Sequence, residues 1–149
     1  MRKMKSICRA IKLGCVFVIL TLCIVSCKRS IPRTISLFGV DVRGLNYSII
    51  DQIDSWCPNG DGEYYLRADL DTTQVERIEQ LKLRMLENGA KKLPIEENSI
   101  VGRINQYRRD NGPGKGLYIL NIDSKDNRDY RTLIFDEIKH ELIVIIEIF

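Results

Sequence analysis

The chain has one histidine, one tryptophan and four prolines in 149 residues, and no internal repeat, low-complexity tract or heptad run. Each scarcity removes a class. Without repeats or heptads it is neither a solenoid nor a coiled coil. With His140 as its only histidine, a serine or cysteine nucleophile has one partner to draw on. No basic stripe with interleaved aromatics exists, so nucleic-acid binding has no support. Uncharged runs are also short. Leu13 to Ser26 holds fourteen residues without a charge, and a helix of that length reaches about 21 Å against roughly 30 Å of hydrocarbon. A permanent transmembrane span is disfavoured.

What precedes and follows that run is informative. Arg2, Lys3, Lys5, Arg9 and Lys12 stand before it with no acid among them. A basic start and a short apolar stretch make a signal peptide. It ends at Ile24, Val25, Ser26 and Cys27, a run that resembles the bacterial lipobox, in which an aliphatic and two small residues precede a cysteine. The resemblance implies removal of residues 1–26, lipid on the Cys27 thiol, and a lipidated tether over 27–33. An ordinary secretory cut wants a small-x-small site, and Ile24-Val25-Ser26 offers none. Several acyl chains hold a protein on a bilayer where a single myristoyl-sized chain holds it only marginally. The expected partners are therefore the membrane, through the lipid, and another envelope protein. Lys28 and Arg29 follow the cysteine with no acidic pair, which in lipoproteins favours the periplasmic face of the outer membrane if the host is diderm.

Loss of residues 1–26 leaves 18 basic and 20 acidic residues, a formal charge of −2 in place of +3. The basicity belongs to the signal. Of the five cysteines only Cys57 then keeps a free side chain, so no intramolecular disulfide is expected; a plain secretory cut would permit a Cys27–Cys57 bridge.

The remaining residues, 34–149, read as a single α+β domain: a small antiparallel sheet of about five strands with one main helix, and a short second one, packed on one face. Thr34 to Val42 is aliphatic and β-branched and predicts a first strand. Asn46 to Trp56 predicts a second, with a helical alternative because Ile49, Ile50 and Ile53 also fall at helical spacing. "PNGDG", residues 58–62, is a turn. In Glu63 to Asp71, Tyr64, Leu66, Ala68 and Leu70 alternate with Glu63, Tyr65, Arg67 and Asp69, a strand with one wet face. Thr73 and Glu76 stand at capping-box spacing before a helix with the stripe Val75, Ile78, Leu81, Met85 and a C-terminal Gly89. A loop from Lys91, a short helix over Ser99 to Arg108, a strand over Leu117 to Ile122 and a hairpin of Thr132 to Asp136 with Glu141 to Ile148 complete the reading. The last strand is almost wholly aliphatic and belongs at the centre of the sheet.

The densest polar segment is Asp54 to Tyr65. Asn59, Asp61 and Gly62 match three positions of a calcium loop, but Cys57 and Ala68 stand where its first and last ligands belong. A looser arrangement of Asp51, Asp54, Asp61 and Glu63 would need those oxygens to converge on one cation. We therefore expect no catalytic residue, no metal and no cofactor, and a candidate polar loop of Asp54, Asn59, Asp61 and Glu63. The alternative is a metal-assisted enzyme centred on Asp54, Asp61 and Glu63. Cys57, beside Trp56, is expected to be a buried or half-buried packing residue, and His140 a solvated turn residue. "NGPGKG" lacks the serine or threonine of a phosphate loop and precedes a strand.

Gly60-Asp61-Gly62 followed by Glu63-Tyr64-Tyr65 also resembles the signature region of a group of small, functionally uncharacterised bacterial proteins. In these, Asp-Thr/Ser-His-Gly-Gly-Phe-His-Gly-Asp-Gly leads into an alternating strand. The order helix, Leu-Pro (Leu93-Pro94), tyrosine-bearing strand and closing hairpin is similar. Ser55 and Asn59 stand at the two histidine positions, and Trp56, Cys57 and Pro58 replace Gly-Gly-Phe. The resemblance implies a fold, and any function carried by those histidines is lost here.

Overall fold

The computed structural model describes residues 34–96, 102–112, 114–126 and 128–149. The expected signal peptide, Cys27, the tether and Ile100 lie outside them. The second of the chain's two units, Ile35–Phe149, carries a six-stranded sheet in the order β1-β2-β6-β5-β4-β3. Its strands are β1 (Tyr47–Trp56), β2 (Gly62–Leu70), β3 (Lys91–Lys92), β4 (Gly116–Ile122), β5 (Tyr130–Asp136) and β6 (Glu141–Ile148). Every pairing is antiparallel. The helices are α1 (Val75–Glu87) and α2 (Arg103–Asn111).

The aliphatic β6 lies between β2 and β5, and Leu142 to Ile146 are buried on both faces, as its composition requires. A fully buried aliphatic side chain stabilises by about 1.5–3 kcal/mol, so this strand carries much of the core. β1 is extended, which settles its helical alternative. The short second helix, α2, spans Arg103–Asn111 and ends three residues beyond the expected Arg108.

The two helices serve different faces. Ile104 and Tyr107 of α2 bury against Tyr118, Tyr130, Ile134, Ile143 and Ile145, with Tyr65 at the margin. The other face, with Tyr64, Leu66, Val144 and Phe135, buries with Ile78, Leu81 and Met85 of α1, which runs over β4. One helix per face corrects the expected single-face arrangement, and it explains why the "wet" side of β2 is half covered.

Three further readings change. Thr34 to Val42 forms no strand: Ser36–Phe38 is a 3-10 turn closed by Gly39 in the left-handed region (φ 71). Its aliphatic residues signal burial, not pairing, since Ile35, Phe38, Val40 and Val42 are all core. Its carbonyls find α1 side chains: Arg84 donates to the Asp41 carbonyl (2.9 Å) and Asn88 to that of Gly39 (3.2 Å). A two-residue strand, β3, appears where a loop was expected, raising the strand count to six. At α1 the N-cap is Gln74, with no capping hydrogen bond from its side chain. The capping box does not form because Thr73 turns to Asp71, donating from both its N–H (3.0 Å) and its Oγ1 (2.6 Å). Val75 consequently stands exposed, outside the buried stripe.

Candidate functional site

Alternation on β2 places Glu63, Tyr65 and Arg67 side by side beneath α2. Each charged member meets its opposite. Arg103, in the first turn of α2, grips Glu63 with Nε (2.9 Å) and Nη2 (2.7 Å). Arg67 grips Glu141 with Nε (2.8 Å) and Nη2 (2.6 Å). Fork-to-carboxylate pairs of this kind fix orientation as well as charge. Tyr65 stands between them, with the Arg103 guanidinium 5.2 Å from its ring centroid.

Tyr65, Arg67 and Arg103 floor a cleft of about 220 Å³, whose rim carries Asp51, Gln106, Asp110, Asn111 and Lys139. Lys139 Nζ donates to Asn111 Oδ1. Its electrostatics follow from the pairing. The Arg103 hydrogen bonds hold the Glu63 carboxyl below its ordinary value, and Glu141 raises the already high value of Arg67. Burial pushes the Tyr65 hydroxyl up, so it stays neutral and can donate or accept. Tyr107 at the back is pushed up further, chiefly by burial and then by Asp136 and Glu141.

The N-terminus of α2 rests on a second buried carboxylate. Glu147 of β6 is 4 % exposed and accepts the Arg103 N–H at 3.0 Å, while Ile104 N–H donates to Tyr130 Oη at 3.2 Å. A carboxylate at a helix start satisfies an orphan donor and suits the positive end of the dipole. Thus β6 sets the height and angle of α2, and α2 sets the cleft.

The candidate polar loop is a self-satisfied turn. Asn59 Nδ2 donates to Asp61 Oδ2 at 2.6 Å, and Cys57 N–H to the Asp61 carbonyl at 2.7 Å. Asp54 pairs with Tyr64, and Asp51 with Arg67. Alternation therefore sends Asp54 to the α1 face, while Glu63 and Asp51 lie on the α2 face. Asp61 and Glu63 edge a shallow hollow of about 280 Å³ with Cys57 and Phe149; Asp54 is not part of it. Among the described residues no three His, Cys, Asp or Glu side chains are grouped to hold a metal.

Cys57 is exposed, not a packing residue, because the turn carries it beyond the last strand pair. His140 is half-buried in the β5–β6 turn at φ 55; its carbonyl accepts the Leu70 N–H at 2.9 Å. Cys57 lies past the Gly62 end of β2 and His140 at the Leu70 end. Nine residues of strand, about 27 Å, separate the two ends, so they form no dyad.

No spacing in the sequence marks the Arg67–Tyr65–Arg103 cleft. Its β2 residues were legible as one face; the identity of what covers that face was not. Comparison with protein-family models, curated proteins and solved structures finds no match to the chain. Among the described residues no helix is long and apolar enough to cross a membrane.

Proposed function

We propose that this chain is a lipid-anchored protein of the bacterial cell envelope that acts by binding, without catalysis, at a membrane surface. The observation that carries the reading is Ile24-Val25-Ser26-Cys27 at the end of a basic, then uncharged, leader. The cleft under α2 supports the binding half. Each of its arginines spends the Nε–Nη2 edge on a carboxylate, so Nη1 remains for a further acceptor, beside the neutral Tyr65 hydroxyl and the rim carboxylates of Asp51 and Asp110. Donors and acceptors in near balance suit a small polar molecule or a polar side chain of a partner. The cleft is smaller than the roughly 300–1,000 Å³ of sites that enclose larger ligands.

Fractionation of cells tests the anchor. The native chain is expected in the membrane pellet and Cys27→Ser in the uncut or soluble pool. A thermal-shift screen of the purified chain against small polar envelope molecules, with Arg103→Met as control, tests the cleft. A pull-down that returns no envelope partner, together with no shift for any ligand, contradicts the binding role.

A further inference from the structure

The sheet's two edges are guarded very differently. β3 closes one edge with two residues, both lysine, and short length and lysine each discourage strand addition. β1 forms the other edge with ten residues, YSIIDQIDSW, and has no lysine, arginine or proline. Only Tyr47, Ile53 and Trp56 are even half-buried; Ile49 and Ile50 are 50 % and 49 % exposed. One irregularity interrupts it, where the register passes from Ile49/Ala68 to Asp51/Arg67 and leaves Ile50 unpaired. Among the described residues, Asp51–Ser55 is thus a regular stretch of edge with no strand on its outer side.

The direction of its backbone groups follows from the turn. Cys57 donates its N–H inward to the Asp61 carbonyl. Antiparallel alternation then turns the N–H and C=O of Ser55 and Ile53 toward β2, and those of Gln52 and Asp54 outward. Outward groups such as these are a template for another strand.

We propose that β1 pairs antiparallel with the β1 of a second copy of this chain, about a two-fold axis at Ile53. In that register Gln52 meets Asp54 of the second copy, using the outward backbone groups. Asp51 meets Ser55, and Ile53 meets its own counterpart. The strand selects this register. Centring on Asp51 or on Asp54 sets like carboxylates directly opposite, which is destabilising. Centring on Gln52 or on Ser55 leaves at most three residues of regular edge in the ladder, against five at Ile53. At Ile53 both acids face neutral hydrogen-bonding side chains, so β1 is complementary to itself.

Sedimentation velocity of the full chain, purified as a bacterial cell processes it and run from micromolar to hundreds of micromolar, tests this. A reversible monomer–dimer equilibrium is expected. Gln52→Lys places a lysine opposite Asp54 twice in each dimer and lowers the dissociation constant several-fold. Gln52→Asp places a carboxylate there and raises it several-fold. Position 52 is exposed, and circular dichroism confirms that each variant is folded. If either is not, Ser55→Lys, which meets Asp51, takes its place. A monomer at every concentration, or a dimer whose constant none of these substitutions moves, overturns the proposal.

Discussion

The carboxylate of Glu147 occupies the space that a β-carbon on Gly102 would enter. Gly102 also has φ 90, a region that other residues adopt only with strain. Close approach and backbone conformation demand glycine for separate reasons, and together they seat α2 on β6. Gly102→Ala should destabilise the domain by about 2–4 kcal/mol and loosen α2 from the sheet. Urea unfolding followed by circular dichroism measures the loss, and hydrogen exchange of the α2 amides localises it.

The Glu63–Arg103 pair should make stability depend on acid pH. Its hydrogen bonds keep the Glu63 carboxyl below the ordinary 4.5 in the folded state. The stabilisation is therefore complete above about pH 4.5 and disappears as pH falls through the folded value. Glu63→Gln should cost about 1–2 kcal/mol at pH 7, a figure already reduced for partial exposure. The difference between native and variant should shrink toward zero near the acid limit. Unfolding curves at pH 7, 5 and 3.5 measure it, and a gap that stays constant contradicts the assignment.

Arg67 and Glu141 differ in burial, with side chains 35 % and 8 % exposed. Removing the arginine strands a buried carboxylate; removing both leaves a site that water or apolar packing can fill. Arg67→Met alone should cost about 2–3 kcal/mol, and Arg67→Met with Glu141→Leu should cost less. A double-mutant cycle on unfolding free energies reads the coupling.

How much of this was legible beforehand depended on whether the signal was local. The period of two in Glu63 to Asp71 and the unbroken aliphatics of Glu141 to Ile148 described β2 and β6 well, because burial on one face or two leaves its mark along a single strand. Thr34 to Val42 misled, because buried loops and strands share an aliphatic composition and only the left-handed Gly39 distinguishes them. The cleft was hidden for another reason. Arg103 lies forty positions from Glu63 and Glu141 seventy-four from Arg67, and no spacing rule joins residues that meet only across the layers of a fold. The polar loop drew attention because its acids crowd the sequence, yet a strand sends neighbours to opposite faces.

Cys57, exposed in its turn, should be labelled by a maleimide in the folded protein without prior denaturation. If Cys27 carries lipid, the anchored form has one titratable thiol and denaturation reveals no second one. Mass spectrometry after labelling with and without denaturant counts them. A slow or absent native reaction contradicts the placement of the turn.

Lipid attachment at Cys27 is decided by the intact mass of the protein extracted from bacterial membranes. A chain beginning at residue 27 with acyl mass added is expected, and loss of both features in Cys27→Ser. An unmodified soluble chain, or an uncut one beginning at Met1, would contradict it.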